Sequence, residues 1–175
     1  MGRVGALVLA AGKGTRMKGS FSKVMLPVLG EPMIYYPLRA LSEAGIKDIA
    51  VVVGWGGEVV ESYLASRWPD VAVVWQREQL GTGHGLMGAG PLWAAVDELL
   101  VLPGDVPLVD ADVLEALSRR HMDEMTEATF LTMTLDDPSG YGRVIQVDGK
   151  VRIVEDKDAS QAERSIQEVN SGIYA

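Results

Sequence analysis

Cysteine is absent from the 175 residues, which excludes disulfides and thiolate chemistry and suits a reducing compartment. Histidine occurs only twice and without paired ligand spacing, so a zinc site has no support. No apolar run approaches the ~20 residues needed to cross a bilayer. The opening segment also meets Gly12, Lys13 and Arg16 too soon to be a signal peptide. The expected location is the cytoplasm. Cations are in deficit, 16 Lys and Arg against 24 Asp and Glu, and the formal charge of −8 argues against nucleic acid or a membrane surface as partner. Internal repeats, low-complexity tracts and Pro/Ser-rich linkers are missing too. With 47% hydrophobic and 23% charged residues, the composition is that of one soluble globular domain spanning 1–175.

What is present has a clear alternation. Val4 to Ala10 is an unbroken apolar run, the mark of a strand buried on both faces of a parallel sheet. Shorter runs recur at Ile49–Val53, Val71–Trp75 and Leu99–Leu102. Between and after them, helical spacing predicts helices over Met33–Ala44, Glu58–Arg67, His84–Ala95 and Ala111–His121. After Thr126 the pattern becomes strand-like at Thr129–Leu135, Arg143–Val147 and Val151–Glu155, the last two joined through Asp148-Gly149 as a hairpin. The expected architecture is a three-layer α/β/α, doubly wound, mostly parallel but mixed sheet of Rossmann-like type. Ligands of such sheets lie at the carboxyl ends of the strands. Trp55, Trp68, Trp75 and Trp93 lack the spacing of a stacking platform and are expected in the core or at its edge.

The charge is uneven. Residues 1–23 hold Arg3, Lys13, Arg16, Lys18 and Lys23 and no acid, leaving a balance of −13 in the rest of the chain. These cations surround Gly12, Gly14 and Gly19, and glycines among cations let backbone N–H groups approach a phosphate. A solvated basic loop is the plainer alternative. The strand running into Ala11-Gly12-Lys13-Gly14-Thr15-Arg16-Met17 fails both familiar nucleotide motifs. A dinucleotide fingerprint needs a small residue where Met17 stands, and a P-loop needs Gly-Lys-Ser/Thr to begin there.

What remains, Leu9 to Met17 followed by Lys23 in Ser22-Lys23-Val24-Met25-Leu26-Pro27, resembles the signature of the sugar-nucleotide pyrophosphorylases. Five further blocks sharpen the likeness: Gln76 with Gln79 to His84, Gly104 to Leu108, Asp136 to Arg143, Glu155 to Ala159, and Glu168 to Gly172. In order and over nearly the whole chain they resemble the uridyltransferase domain of the bacterial N-acetylglucosamine-1-phosphate uridyltransferases, within the nucleotide-diphospho-sugar transferase family. The resemblance implies condensation of UTP with N-acetylglucosamine 1-phosphate to UDP-N-acetylglucosamine and pyrophosphate. It also implies a place in peptidoglycan and cell-wall synthesis. Other members use dTTP or CTP, and a chain that binds nucleotide without turnover is a further alternative.

The resemblance assigns Leu9, Ala10, Ala11, Gly12, Gly14, Gln76, Gly81 and Thr82 to the nucleotide. It assigns Gly104, Gly142, Glu155 and Asn170 to the sugar phosphate. Arg16, with its planar fork, and Lys23, a compact charge, are the expected catalytic cations. Asp105 is the expected Mg²⁺ ligand, at the mouth of the sheet. Plainer roles exist for three of these: a surface lysine for Lys23, a turn residue for Gln76 and a turn cap for Asp105. His84, at the start of a predicted helix, is read as a cap or packing residue and not as a base.

The chain departs from the family's pattern where Ser22 replaces a proline and Pro103 an aromatic residue. It also stops as Val169 to Ala175 begins a strand, which suggests a fragment. The family's second metal ligand, an asparagine, and its β-helix acetyltransferase domain would lie beyond this point. Because that β-helix builds the trimer of full-length relatives, this chain is expected to be monomeric.

Overall fold

The computed structural model describes residues 2–12, 22–78, 81–94 and 96–175. Its centre is β1 (Val4–Ala10), in which Gly5 to Val8 are all buried, as an apolar run without alternation requires. β1 lies parallel to β4 (Asp48–Val53) on one side and β6 (Glu98–Pro103) on the other, and β5 (Ala72–Trp75) lies parallel outside β4. The remaining strands of this sheet, β7 (Phe130–Thr134), β8 (Arg143–Val147), β9 (Lys150–Val154) and β10 (Glu168–Tyr174), are antiparallel. The order is β5-β4-β1-β6-β10-β8-β9, with β7 also paired to β10. A small ribbon of β2 (Pro27–Val28) and β3 (Glu31–Pro32) stands apart.

Three helices cover one face of the parallel half: α1 (Tyr35–Glu43), α2 (Gly57–Arg67) and α4 (Ala111–Glu124). Their Leu38, Leu41, Val60, Leu64, Leu114 and Leu117 pack with Ala6, Val8, Val51, Val53, Leu100 and Leu102 of the sheet. α4 begins at Asp110, whose side chain accepts the Val113 N–H at 2.9 Å. The other face is covered differently. Leu7, Val52 and Val101 meet Leu86 of α3 (Thr82–Gly88), Ala89 and Trp93. The chain passes from β1 outward through β4 to β5, then returns to place β6 on the far side of β1. That reversal opens a crevice at the carboxyl ends of β1 and β6, the place where doubly wound sheets bind ligands.

The element reading differs from the structure most at His84–Ala95. The expected single helix ends at Gly88, and a 3-10 turn follows over Gly90–Trp93. Gly88 and Gly90 disfavour continuation, and Pro91 has no N–H to donate back along a helix. The Asp148-Gly149 hairpin is as expected, with both residues at positive φ (50° and 74°), which a two-residue turn of type I′ demands. A single helical turn, α5 (Gln161–Arg164), links β9 to β10 behind a capping box formed by Ser160 and Glu163. Trp68 and Trp75 pack against one core cluster and Trp93 against the other. No described helix is long and apolar enough to cross a membrane.

Candidate active site

A cleft of about 930 Å³ opens at this crevice. Its floor takes Leu9 from β1 and Leu99, Val101 and Pro103 from β6, the side chains that β6 turns to the α3 face. One wall is made by Ala11, Gly12, Gln76, Gly81, Thr82 and Leu86. The opposite wall is made by Glu155, Asn170, Gly172 and Tyr174. Residues separated by most of the chain length thus face one another because β10 inserts beside β6.

The two walls are built by different means. On the first, Gln76 follows β5 and its N–H donates to the Val53 carbonyl at 2.8 Å, extending the β4–β5 ladder by one bond. Its Nε2 donates to the Gly81 carbonyl at 3.0 Å, closing the loop that leads into α3. On the second, Asn170 is fixed at three points. Its N–H donates to Gly142 O at 2.8 Å, its Oδ1 accepts the Gly172 N–H at 3.0 Å, and its Nδ2 donates to the Tyr174 hydroxyl. Gly172 has φ +82°, and a Cβ there would come within 3.1 Å of Pro103 Cγ, so the strand passes the cleft floor closely only as glycine. Gly142 is similarly confined, since a Cβ would meet Ile153 Cγ2 at 2.9 Å.

Behind this wall lies Arg143, 2% exposed, whose guanidinium donates to the Tyr141 carbonyl, to Asp156 Oδ1 at 2.9 Å and to the Arg164 carbonyl at 3.4 Å. It ties the segment before β8 to the one after β9 and so holds Gly142 and Glu155 side by side. Near the start of that segment, hydrogen bonds from the Ser139 hydroxyl and then its N–H hold the Asp137 carboxyl below its ordinary value.

Of the expected site residues, Leu9, Ala11, Gly12, Gln76, Gly81, Thr82, Glu155 and Asn170 line the cleft. Ala10 is 2% exposed and belongs to the core on the opposite face, because successive strand residues alternate sides. Gly104 and Gly142 stand behind the lining. Gly104 N–H donates to Leu9 O at 2.9 Å, which holds the end of β6 against β1. Asp105, next along, forms an ion pair with Lys23, and both are partly exposed. Gly14 and Arg16 lie outside the described residues. Ser22, where the family has proline, is fully buried, and its hydroxyl has no hydrogen-bond partner among the described residues. Sequence reasoning missed Leu86, Gly172 and Tyr174 as lining. Gly172 and Tyr174 could have been found from the strand period, since with Asn170 they form an i, i+2, i+4 set on one face.

Among the described residues no group of three or more His, Asp or Glu is placed to hold a metal ion. Asp105 is a single, partly exposed carboxylate already paired with Lys23, a donor type that suits a cation such as Mg²⁺, which takes one or two carboxylates and fills its shell with phosphate oxygens and water.

The family described as the MobA-like NTP transferase domain matches residues 6–140. A Bifunctional protein GlmU from Syntrophomonas wolfei subsp. wolfei is 45% identical over 174 residues, covering 98% of this chain and 38% of the relative. Another from Fervidobacterium nodosum is 46% identical over 168 residues, 96% of this chain and 36% of the relative. The chain therefore spans less than two-fifths of the length of these curated relatives. A crystal structure from Bacillus anthracis, ascribed to a glucose-1-phosphate thymidylyltransferase in complex with a sucrose, superposes with a TM-score of 0.80 at 23% identity. It covers 98% of this chain and 70% of that one, and it shows that the fold is shared.

Proposed function

The chain belongs to the MobA-like NTP transferase family, and from that premise we propose that it transfers a uridylyl group from UTP to N-acetylglucosamine 1-phosphate. The observation that carries this reading is the single cleft whose facing walls bring Gln76, Gly81 and Thr82 opposite Glu155 and Asn170. One wall offers an amide and small residues suited to a flat base. The other offers a carboxylate and an amide suited to sugar hydroxyls. A sugar-phosphate oxygen attacks the α-phosphorus of UTP in line. The bond from that phosphorus to the bridging oxygen breaks, and pyrophosphate leaves with its electrons.

No nucleophile from the protein is required. The chain's work is to position two anions and to neutralise them. Lys23, paired with Asp105 just past the end of β6, is the cation that would meet the phosphates once that pair opens. Asp105 would hold Mg²⁺, which supplies charge neutralisation at the phosphate oxygens when bound. The UDP-N-acetylglucosamine so formed is a glycosyl donor of the kind that cell-wall polymer synthesis consumes.

The test is pyrophosphate release from UTP and N-acetylglucosamine 1-phosphate, with and without Mg²⁺, for the parent chain and Asp105→Ala. Mg²⁺-dependent release that falls by roughly a hundredfold or more in the variant is expected. Faster release with dTTP or CTP, or with another sugar phosphate, would move the assignment to a different nucleotidyltransferase. A folded chain that binds UTP and releases nothing would be a nucleotide-binding module.

A further inference from the structure

His84 carries no chemistry in the reaction above, yet it touches a group that does. Gln76 Nε2 lies 3.0 Å from the Gly81 carbonyl oxygen and 3.1 Å from His84 Nδ1. An amide nitrogen only donates, so both of its hydrogens are spent on these two partners. His84 Nδ1 is therefore the bare ring nitrogen, and the neutral imidazole carries its proton on Nε2. The Gln76 oxygen takes no bond from these partners and lies beside Gly85, 3.3 Å from where a Cβ of that residue would stand, so it is the side chain's one unspent group among the described residues. Inverting the amide would set that oxygen against a carbonyl oxygen and a ring lone pair at once. Two acceptors in the cradle fix the flip, where the Gly81 carbonyl alone would bias it less.

We propose that His84 is a positioning residue that locks the Gln76 amide with its oxygen free, so that the cleft accepts a pyrimidine bearing an N3–H donor and discriminates against cytosine. This rests on the nucleotidyltransferase reading and adds the source of its base selectivity. Uracil and thymine present a donor at N3, whereas cytosine presents an acceptor there. A site that offers an acceptor leaves cytosine's N3 and the Gln76 oxygen facing each other unpaired, which costs affinity. The neighbouring cavity that His84 shares with Gln76 also carries Arg77 and Glu78.

Two measurements test it, neither needing turnover. Calorimetric titration of the full chain with UTP and with CTP gives an affinity ratio expected to favour UTP. His84→Leu is expected to shrink that ratio about tenfold, equal to about 1.4 kcal/mol. His84→Asn, whose Oδ1 can stand where Nδ1 stands, is expected to restore most of it, which a loss of packing alone would not produce. An unchanged ratio in folded His84→Leu overturns the inference while leaving the proposed reaction intact. Binding of neither nucleotide by the parent overturns the nucleotidyltransferase reading, and the inference falls with it. Should the leucine variant fail to fold, ¹⁵N spectra of the imidazoles decide. Only two histidines need resolving, and a neutral His84 ring protonated on Nδ1 overturns the inference.

Discussion

The two halves of the sheet face the same cleft but are held together differently. In the parallel half, β1 and β4 are buried almost throughout, with Leu7, Val51 and Val52 at 0% exposure, and the helices on either side add mainly apolar side chains, with Ser118 of α4 donating to the buried Glu98 as a polar exception. In the antiparallel half, β9 is exposed along most of its length, and Val147 and Val151 lie open to water. Polar tethers compensate there: the buried Arg143, the Asn170 side chain and the Ser160–Glu163 capping box. Burial carries most of the parallel half, whereas polar tethers carry much of the antiparallel half.

The largest effect should come from the parallel half. Leu100→Ala removes a side chain at 0% exposure between α4 and the sheet, and roughly 2–5 kcal/mol of stability should be lost in denaturant titration. Val151→Ala, at a half-exposed position of β9, should cost no more than about 0.5 kcal/mol. Equal losses at the two positions would erase the distinction between the halves.

The same contrast decides what the sequence disclosed. Val4–Ala10 and Arg143–Val147 were legible to the residue, because an unbroken apolar run and a hairpin bounded by Asp148-Gly149 leave little choice. The helix expected through Ala95 was not, because the apolar period continues past Gly88 while the backbone preference fails there. Leu9, Gln76 and Asn170 were identified through resemblance to a family. That they share one cleft depends on β10 crossing to β6, a long-range pairing that no local pattern encodes. The structural role of Arg143 is not legible in its block, since charge in a sequence does not announce burial. The Lys23–Asp105 ion pair joins residues 82 positions apart, a pairing that no local pattern encodes.

Arg143→Met would sharpen the comparison next. It leaves Asp156 and two carbonyl oxygens without their donor, and a loss of about 3 kcal/mol is expected. Its location matters more than its size. Hydrogen exchange should quicken across 138–175 while β1 and β4 amides keep their protection, because no parallel strand takes a bond from this guanidinium. Affinity for N-acetylglucosamine 1-phosphate should fall more than affinity for UTP. Equal quickening in β1 would show that the halves open as one unit.

The smallest effect is a pH dependence, and its sign follows from the carboxylates whose native values are lowered. Asp137 is held down by hydrogen bonds from the Ser139 hydroxyl and N–H, and Glu163 by those from the Ser160 N–H and hydroxyl and by Arg152. Asp48 is held down by its hydrogen bonds from Arg3. A group titrating lower in the native state than in the unfolded chain adds stability that is complete above its unfolded value, about 4, and is lost as pH falls through the native one. All three are solvent-exposed and screened, so the contribution is slight. Two of them serve the antiparallel half, and Asp48 joins Arg3 at the parallel sheet's amino-terminal edge. Acid exchange measurements from pH 5 to pH 3 should therefore show 137–165 loosening ahead of β1 and β4. Substituting Glu163→Gln should flatten that early phase, because a neutral side chain has no proton left to take up. An early phase that persists unchanged in Glu163→Gln would move its origin to Asp137, whose turn leads directly to Gly142.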